Sequence, residues 1–226
     1  TMLNEVQALN TIAADLIGMG DHGEAIEVIT YAVSQLSWCL LAPTPLKTAT
    51  IDRTCPKRIP HGISVYTANL STKDPSATNG DFYFHPSIFE WTPVSDQDEG
   101  SLTNEQYCFS AISCLYNLGL CYHTAWAKGK CDAQLLLSAK QCYDQAFALT
   151  SKCTVCPTDT ILPILMAVCH NSSHCHGELA DYGQYNHWNK KLRQVLEFSK
   201  ESESNRSFFL FNSFFNSFSR VSAPAA

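Results

Sequence analysis

The sequence predicts an all-α protein in which helical hairpins stack side by side. Three observations lead to this fold class. Residues 9–36 have the pattern of two amphipathic helices joined by a tight turn. Their spacing of small residues recurs further along the chain, and a Phe-rich stripe near the C-terminus has the helical pattern that the open end of such a stack requires.

The first hairpin shows the apolar face of each helix and the turn between them. Apolar residues recur at steps of three and four, which gathers their side chains on one helical face. Gly20 suits the left-handed backbone that ends a helix, and Asp21 with Glu24 has the spacing of a capping box. The apolar positions are, on the first helix and then the second, Ile12, Ala13 and Leu16, and Ala25, Ile29, Ala32 and Leu36.

The same spacing returns in two later segments. In the third segment Ser173 and His176 keep the step of three, but the large Tyr185 takes a position where the first two segments have Ala. We therefore predict repeats at residues 3–38, 105–150 and 158–200. The matching small and large residues of the second segment are Gly119, Tyr122, Ala139, Tyr143 and Ala146.

This combination resembles the tetratricopeptide repeat (TPR): small-x-x-large on the first helix, Gly-Asp at the turn and Ala-x-x-x-large-x-x-Ala on the second. The resemblance implies one domain over residues 1–226, folded as a right-handed α-solenoid of three TPR-like hairpins. It also implies a concave groove lined by the first helix of each pair. The irregular layout is loosely similar to a group of uncharacterised repeat proteins from diatom-type algae, a likeness that implies no activity.

Residues 39–104 interrupt the helical pattern with seven prolines and form an insertion between the first two repeats. Residues 63–67 and 81–84 have the β-branched and aromatic content of strands, so we predict an inserted β-hairpin. Phe89 and Trp91 are expected to anchor it to the helices. The insertion is long enough to fold back and fill the groove, in which case the groove would bind nothing else.

The C-terminal stretch predicts a capping helix over residues 204–221. Phe208, Phe211, Phe215 and Phe218 fall at steps of three and four, on one helical stripe. Exposed, this stripe would favour aggregation, self-association or contact with a membrane surface. Buried against residues 185–200, it would close the third repeat, which is the interpretation we favour.

Composition excludes several classes of protein. The net charge of −6 over 226 residues gives no basic field for nucleic acid or an anionic membrane. No apolar run is long enough to span a bilayer. Eleven cysteines cannot all pair within the chain, and several fall on apolar helix faces. We expect a reducing compartment, either the cytoplasm or the nucleus.

Cys153, Cys156, His170 and His174 have the spacing of a two-Cys, two-His zinc site. A helix beginning near Thr158 would carry His170 roughly 18 Å along its axis from the cysteines, too far for one ion. We therefore expect no metal and no cofactor. Cys153 and Cys156 as a redox pair would need a strand-rich context that the sequence lacks.

Two Cys-His neighbours suggest a thiol nucleophile with its base, Cys121 with His123 and Cys169 with His170. Neighbours this close on a helix point in different directions, so each pair would need a partner from another element. We expect no catalytic residue and no enzyme activity. The alternative is a metal-binding or thiol-dependent enzyme that uses the Cys/His-rich third repeat.

The expected function is a scaffold that binds a protein or peptide in the concave groove. Asn117 and Asn171 recur at equivalent positions without an accompanying Lys or Arg, so a carboxylate clamp would lack charge-assisted bonds. We expect the groove to take a neutral or weakly basic peptide, with Asn side chains bonding its backbone and Tyr116 stacking on it. The predicted groove residues are Gln7, Asn10, Ala14, Tyr116, Asn117, Leu120, His123, His170, Asn171, His174 and Glu178.

Overall fold

A computed structural model describes residues 2–41, 63–67, 84, 87–91, 104–130, 132–150 and 161–198. The described chain is mostly helical, as an all-α class requires. Its elements are α1 (Met2–Met19), α2 (His22–Leu41), β1 (Ile63–Thr67), β2 (Ser87–Trp91), α3 (Asn104–Ala125), α4 (Ala133–Thr150), α5 (Leu162–Glu178) and α6 (Tyr182–Phe198). The predicted capping helix at 204–221 lies outside the described residues.

The helices pack as consecutive pairs, α1 on α2, α3 on α4 and α5 on α6. Each pair also contacts the next, through α2 with α3 and α4 with α5. The first helices of the pairs touch one another as well, α1 with α3 and α3 with α5. This order leaves α1, α3 and α5 on one side of the protein, which is where β2 packs.

The turns that close the first and third pairs share one backbone arrangement. Gly20 has a φ of +87°, and the N–H of Asp21 donates to the carbonyl of Leu16 at 2.9 Å. In the third pair Ala180 has a φ of +59°, and the N–H of Asp181 donates to the carbonyl of His176 at 2.9 Å. Gly20 thus closes α1 as predicted, while Ala180 adopts a backbone that costs a residue with a Cβ about 1 kcal/mol.

The small residues mark close helix contacts. Ala25, Ala32, Ala139 and Ala146 are fully buried, as the spacing predicted. At Gly119 a Cβ atom would lie 2.7 Å from the Tyr143 ring, so only Gly lets α3 approach α4 this closely. The prediction for Ile12 is wrong, because its side chain is 49% exposed, while Ala13 and Leu16 beside it are buried.

The link between α3 and α4 is longer than in the other pairs. A π-helical turn, Trp126–Lys130, follows α3, and Gly129 within it has a φ of +104°. Asp132 then begins α4, because its carboxylate accepts a hydrogen bond from the N–H of Gln134 at 2.8 Å. The extra residues between the Gly119 and Ala139 positions are accommodated in this turn.

The strands β1 and β2 form an antiparallel pair in which Val65 lies opposite Phe89. The first predicted strand, 63–67, is confirmed. The second was predicted at 81–84; residues 81–83 lie outside the described residues, Phe84 lies in a bend, and the strand that pairs with β1 is Ser87–Trp91. Pro86 comes directly before this strand in sequence, a position that tolerates a residue without an N–H.

Candidate functional site

Three side-chain amides from two helices hold the backbone of β2. Gln7 and Asn10 lie on α1 and Asn117 lies on α3; we call these three side chains the amide face. Asn10 Nδ2 donates to the carbonyl of Phe89 at 3.0 Å, and Gln7 Nε2 donates to the carbonyl of Trp91 at 2.6 Å. The backbone of β2 is thus fixed at alternate residues.

Asn117 is the centre of the amide face. Its Oδ1 accepts the N–H of Phe89 at 3.1 Å, and its Nδ2 donates to the carbonyl of Phe89 at 2.8 Å. The same Nδ2 donates to Oδ1 of Asn10 at 2.9 Å. Asn117 and Asn10 are fully buried, so these bonds form away from water. The Asn117 side chain therefore satisfies both the N–H and the C=O of Phe89, and it orients the side-chain amide of Asn10.

The amide face takes the place of a neighbouring strand. Backbone groups of successive strand residues point to opposite edges, so Phe89 and Trp91 share the edge that faces the helices. Ile88 and Glu90 consequently present their backbone groups to β1. An open strand edge is a liability because its unpaired groups recruit other chains. Here side-chain amides satisfy that edge without a third strand.

Aromatic side chains contact the two residues whose backbone the amides hold. The Phe89 ring meets Tyr116 edge-to-face with centroids 4.9 Å apart, and Trp91 meets Phe109 in the same way at 6.5 Å. Phe89 and Trp91 are both buried, as predicted for anchors of the insertion. The Phe89–Tyr116 contact is edge-to-face, a geometry that the ring quadrupoles favour, and stacking of a partner peptide on Tyr116 stays a prediction.

Phe84 lies at the other end of the same face, over a pair of histidines. Its ring stacks on His123 with centroids 4.0 Å apart and planes 19° apart, and it also contacts His174. His123 Nε2 lies 3.0 Å from His174 Nδ1, close enough to share one proton, and His123 Nδ1 lies 3.4 Å from the Tyr143 hydroxyl. Phe84 and β2 thus together contact α1, α3 and α5.

Burial and neighbouring imidazoles lower the pKa of His123 well below its usual value. Desolvation is the largest cause, followed by His174 and His170. The other neighbours, Phe84, Trp126, Tyr143 and Cys175, offer no compensating negative charge, because burial raises the pKa of both Tyr143 and Cys175. His123 is accordingly held as the neutral imidazole.

The predicted groove residues divide into four groups. Gln7, Asn10, Tyr116 and Asn117 contact β2, while His123 and His174 contact Phe84. The buried Ala14, Leu120, His170 and Asn171 lie in the core around them, and Glu178 is exposed at the end of α5, 3.9 Å from His174. Whether these residues bind a peptide from another molecule stays a prediction.

Asn171 lies at the position equivalent to Asn117 in sequence and joins two tyrosines. Its Nδ2 donates to the hydroxyls of Tyr116 and Tyr143, both at 3.3 Å. All three side chains are buried. This amide therefore helps to position the Tyr116 ring that contacts Phe89.

A Cys-His contact exists, but between helices rather than within one. Cys175 Sγ on α5 lies 3.8 Å from His123 Nδ1 on α3, whereas sequence analysis considered only Cys121 with His123 and Cys169 with His170. Burial raises the pKa of Cys175 far from the thiolate range, and the pKa of Cys169 to about 12. These thiols are held protonated, unlike an activated nucleophile.

Within the described ranges, no group of three or more His, Cys, Asp or Glu side chains is placed to hold a metal ion. His170 and His174 lie on α5, and Cys153 and Cys156 lie outside the described residues. The part of the chain that the structure describes also contains no helix that is both long and apolar enough to cross a membrane.

A concavity of about 520 Å³ is lined mainly by residues of α4 and α6. Two pairs of its polar groups contact each other: Lys140 pairs with Asp144 at 2.9 Å within α4, and His176 with Asp181 at 3.2 Å. Lys191 Nζ lies 4.0 Å from the centre of the Phe147 ring and so joins α6 to α4.

Sequence analysis missed three participants in the site. Ile88 and Phe84 are buried against the helices, and Tyr143 joins His123 to Asn171. The alternation in Ser-Ile-Phe-Glu-Trp after Pro86 was the available signal for the strand. Comparison with protein-family models, curated proteins and solved structures finds no match to this chain.

Proposed function

We propose that this protein is a helical-repeat scaffold that binds an extended segment of a partner protein on the face formed by α1, α3 and α5. The observation that supports it is the hold of Gln7, Asn10 and Asn117 on the backbone of β2. A strand gripped through its N–H and C=O groups is recognised largely by main-chain bonds, as in other modes of extended-peptide recognition.

The packing of the helices supports a solenoid as the framework of this face. Contacts run from each pair to the next, and the first helices meet one another, as in a right-handed stack of TPR-like hairpins. The close approach at Gly119 and the buried alanines make the face rigid. A rigid face loses little conformational entropy when a segment binds.

In the structure the face is occupied by Phe84 and by β2 of the same chain. A partner segment must therefore replace β2, and the chain competes with its partner intramolecularly. The competing interpretation is that β2 is a permanent part of the core. The alternative of a metal- or thiol-dependent enzyme draws no support from the described residues, which form no group placed to hold a metal ion. The surroundings of Cys169 and Cys175 hold these two thiols protonated.

Selection from a random peptide display library on the full chain tests the proposal. We expect enriched peptides that, in a Glu90→Pro background in which β2 is loosened, lose at least about tenfold in affinity when Asn117→Ala is added. Asn186→Ala in the same background serves as the matched control, because the same amide is removed from an exposed position on α6. Enriched peptides that bind all three proteins equally, or no enrichment, would show that this face is core and not a binding site.

A further inference from the structure

The strand β2 carries a readable pattern of side chains. Phe89 and Trp91 point to one face of the strand and are buried against Tyr116 and Phe109. Ile88 points to the other face and is also buried, whereas Glu90 is only half-buried. Three of the four positions, 88, 89 and 91, are therefore constrained by burial, and the third position, Glu90, is the least constrained.

Main-chain and side-chain recognition fall on the same residues. The amide face bonds Phe89 and Trp91, and the two aromatic contacts lie at those positions. A segment shifted by one residue would turn its aromatic side chains to the opposite face while the amides met the wrong backbone groups. The site consequently selects for register as well as composition.

We propose that the ligand of this face is an extended protein segment with the pattern aliphatic, aromatic, any residue, aromatic. Residues Ile88–Trp91 are the chain's own copy of that ligand and hold the site when no partner is present. This inference rests on the proposed function and adds the class of partner and its regulation to it. The partner is recognised by two aromatic side chains two positions apart on one strand.

A partner segment can exchange with β2 because both would make the same contacts with the face. A partner segment with this pattern gains the same amide bonds, the same aromatic contacts and the same edge of β1 that β2 gives up. The balance is then set by the effective concentration of the tethered copy, which is in the millimolar range for flexible tethers. Wild-type protein should bind a free peptide weakly, and any change that loosens only β2 should strengthen binding.

Glu90→Pro is a change of this kind. The backbone N–H of Glu90 faces β1, opposite Ser64, so proline removes a ladder bond without touching the amide face or the aromatic anchors. The probe is a fluorescein-labelled peptide with the sequence of residues 86–92, followed by anisotropy. We expect it to bind the Glu90→Pro protein at least about tenfold more tightly than the wild type.

Two controls define the ligand class. Exchanging Phe and Glu within the peptide makes the aromatics adjacent and should weaken binding at least about tenfold, because one ring then points to the wrong face. Adding Asn117→Ala to Glu90→Pro should weaken binding of the unchanged peptide by a similar factor. Equal binding of the two peptides overturns the inference. If display-selected peptides bind and the 86–92 peptide does not, the ligand class is wrong while the proposed function stands; if neither binds, both fail.

A measurement on the wild type avoids dependence on a folded Glu90→Pro variant. The chain has four tryptophans, and 5-fluorotryptophan labelling gives each a separate fluorine resonance, with Trp91 assigned by Trp91→Phe. Saturating unlabelled peptide should move the Trp91 resonance to the position of a solvent-exposed ring. A Trp91 resonance that stays in place while peptide binds would show that β2 is not displaced, and would overturn the inference.

Discussion

Asn117→Ala should lower the free energy of unfolding by about 3 kcal/mol, the largest effect expected from removing one polar side chain here. The substitution leaves the buried N–H of Phe89 without its acceptor, and it leaves Oδ1 of Asn10 with only the weak thiol donor of Cys114 at 3.8 Å. Each unsatisfied buried group costs about 1–3 kcal/mol. Urea denaturation followed by circular dichroism measures this change in the free energy of unfolding. A thermal melt should show a fall in melting temperature on the order of 10 °C.

Asn186→Ala provides the matched comparison for that result. It removes the same side chain from an exposed position on α6, so we expect a change within about 0.5 kcal/mol. Gln7→Ala should fall between the two, because a half-buried amide loses one bond, to the carbonyl of Trp91. Equal effects of Asn117→Ala and Asn186→Ala would mean that the amide face does not hold β2.

Acid should destabilise the protein through His123. Its folded pKa lies well below the ordinary value of 6.5, so below that pH the unfolded chain binds a proton that the folded chain excludes. Stability is therefore fully present above pH 6.5 and is lost progressively as the pH falls toward the folded pKa. Between pH 7 and pH 5 this one group contributes a loss of about 2 kcal/mol.

Variants separate the titration of His123 from its packing. His123→Asn should lower stability at pH 7 but reduce its dependence on pH by up to one proton, while Tyr143→Phe should lower stability and keep the wild-type dependence. His22, whose pKa burial lowers to about 4, adds to the slope with the same sign and is unaffected by either change. Urea midpoints from pH 7.5 to pH 5 measure both. An unchanged pH slope in His123→Asn would contradict the assignment.

Protonation of His123 affects the site because Phe84 stacks on this imidazole. A single added proton leaves an imidazolium that still donates across the His123–His174 pair, so only protonation of both rings removes the hydrogen bond between Nε2 and Nδ1. Two adjacent imidazolium cations repel each other in a buried position, so acid is expected to weaken the packing around Phe84.

Local patterns accounted for the helices because helix spacing and turn chemistry are written in adjacent residues. Ala13, Ala25, Ala32, Ala139 and Ala146 are buried where their spacing placed them, and Gly20 closes α1. The prediction for Ile12 was wrong. Ile12 is next to Ala13 in sequence and fits the apolar spacing, but its side chain points toward solvent. Tyr185, large where Ala was expected, is buried all the same.

The chemistry of the site was partly predictable. Asn117 bonds a peptide backbone and Tyr116 contacts its side chain, as the sequence suggested, but the peptide belongs to the same chain. Which strand reaches the face depends on the path of the insertion between distant elements, and no local pattern encodes it. The contact of His123 with His174 and Cys175 likewise joins helices about 50 residues apart in sequence.

Hydrogen exchange at the backbone amide of Phe89 tests most directly whether the amide face holds a strand. In the structure this N–H donates to the buried Oδ1 of Asn117, so its exchange should be as slow as that of the buried amides in the middle of α3. Asn117→Ala should abolish the protection at Phe89, whereas the middle of α3 should stay protected and exchange faster only by the factor of about a hundred that a loss of about 3 kcal/mol in global stability implies. A Phe89 amide that exchanges in the wild type as fast as an unstructured peptide would contradict the account.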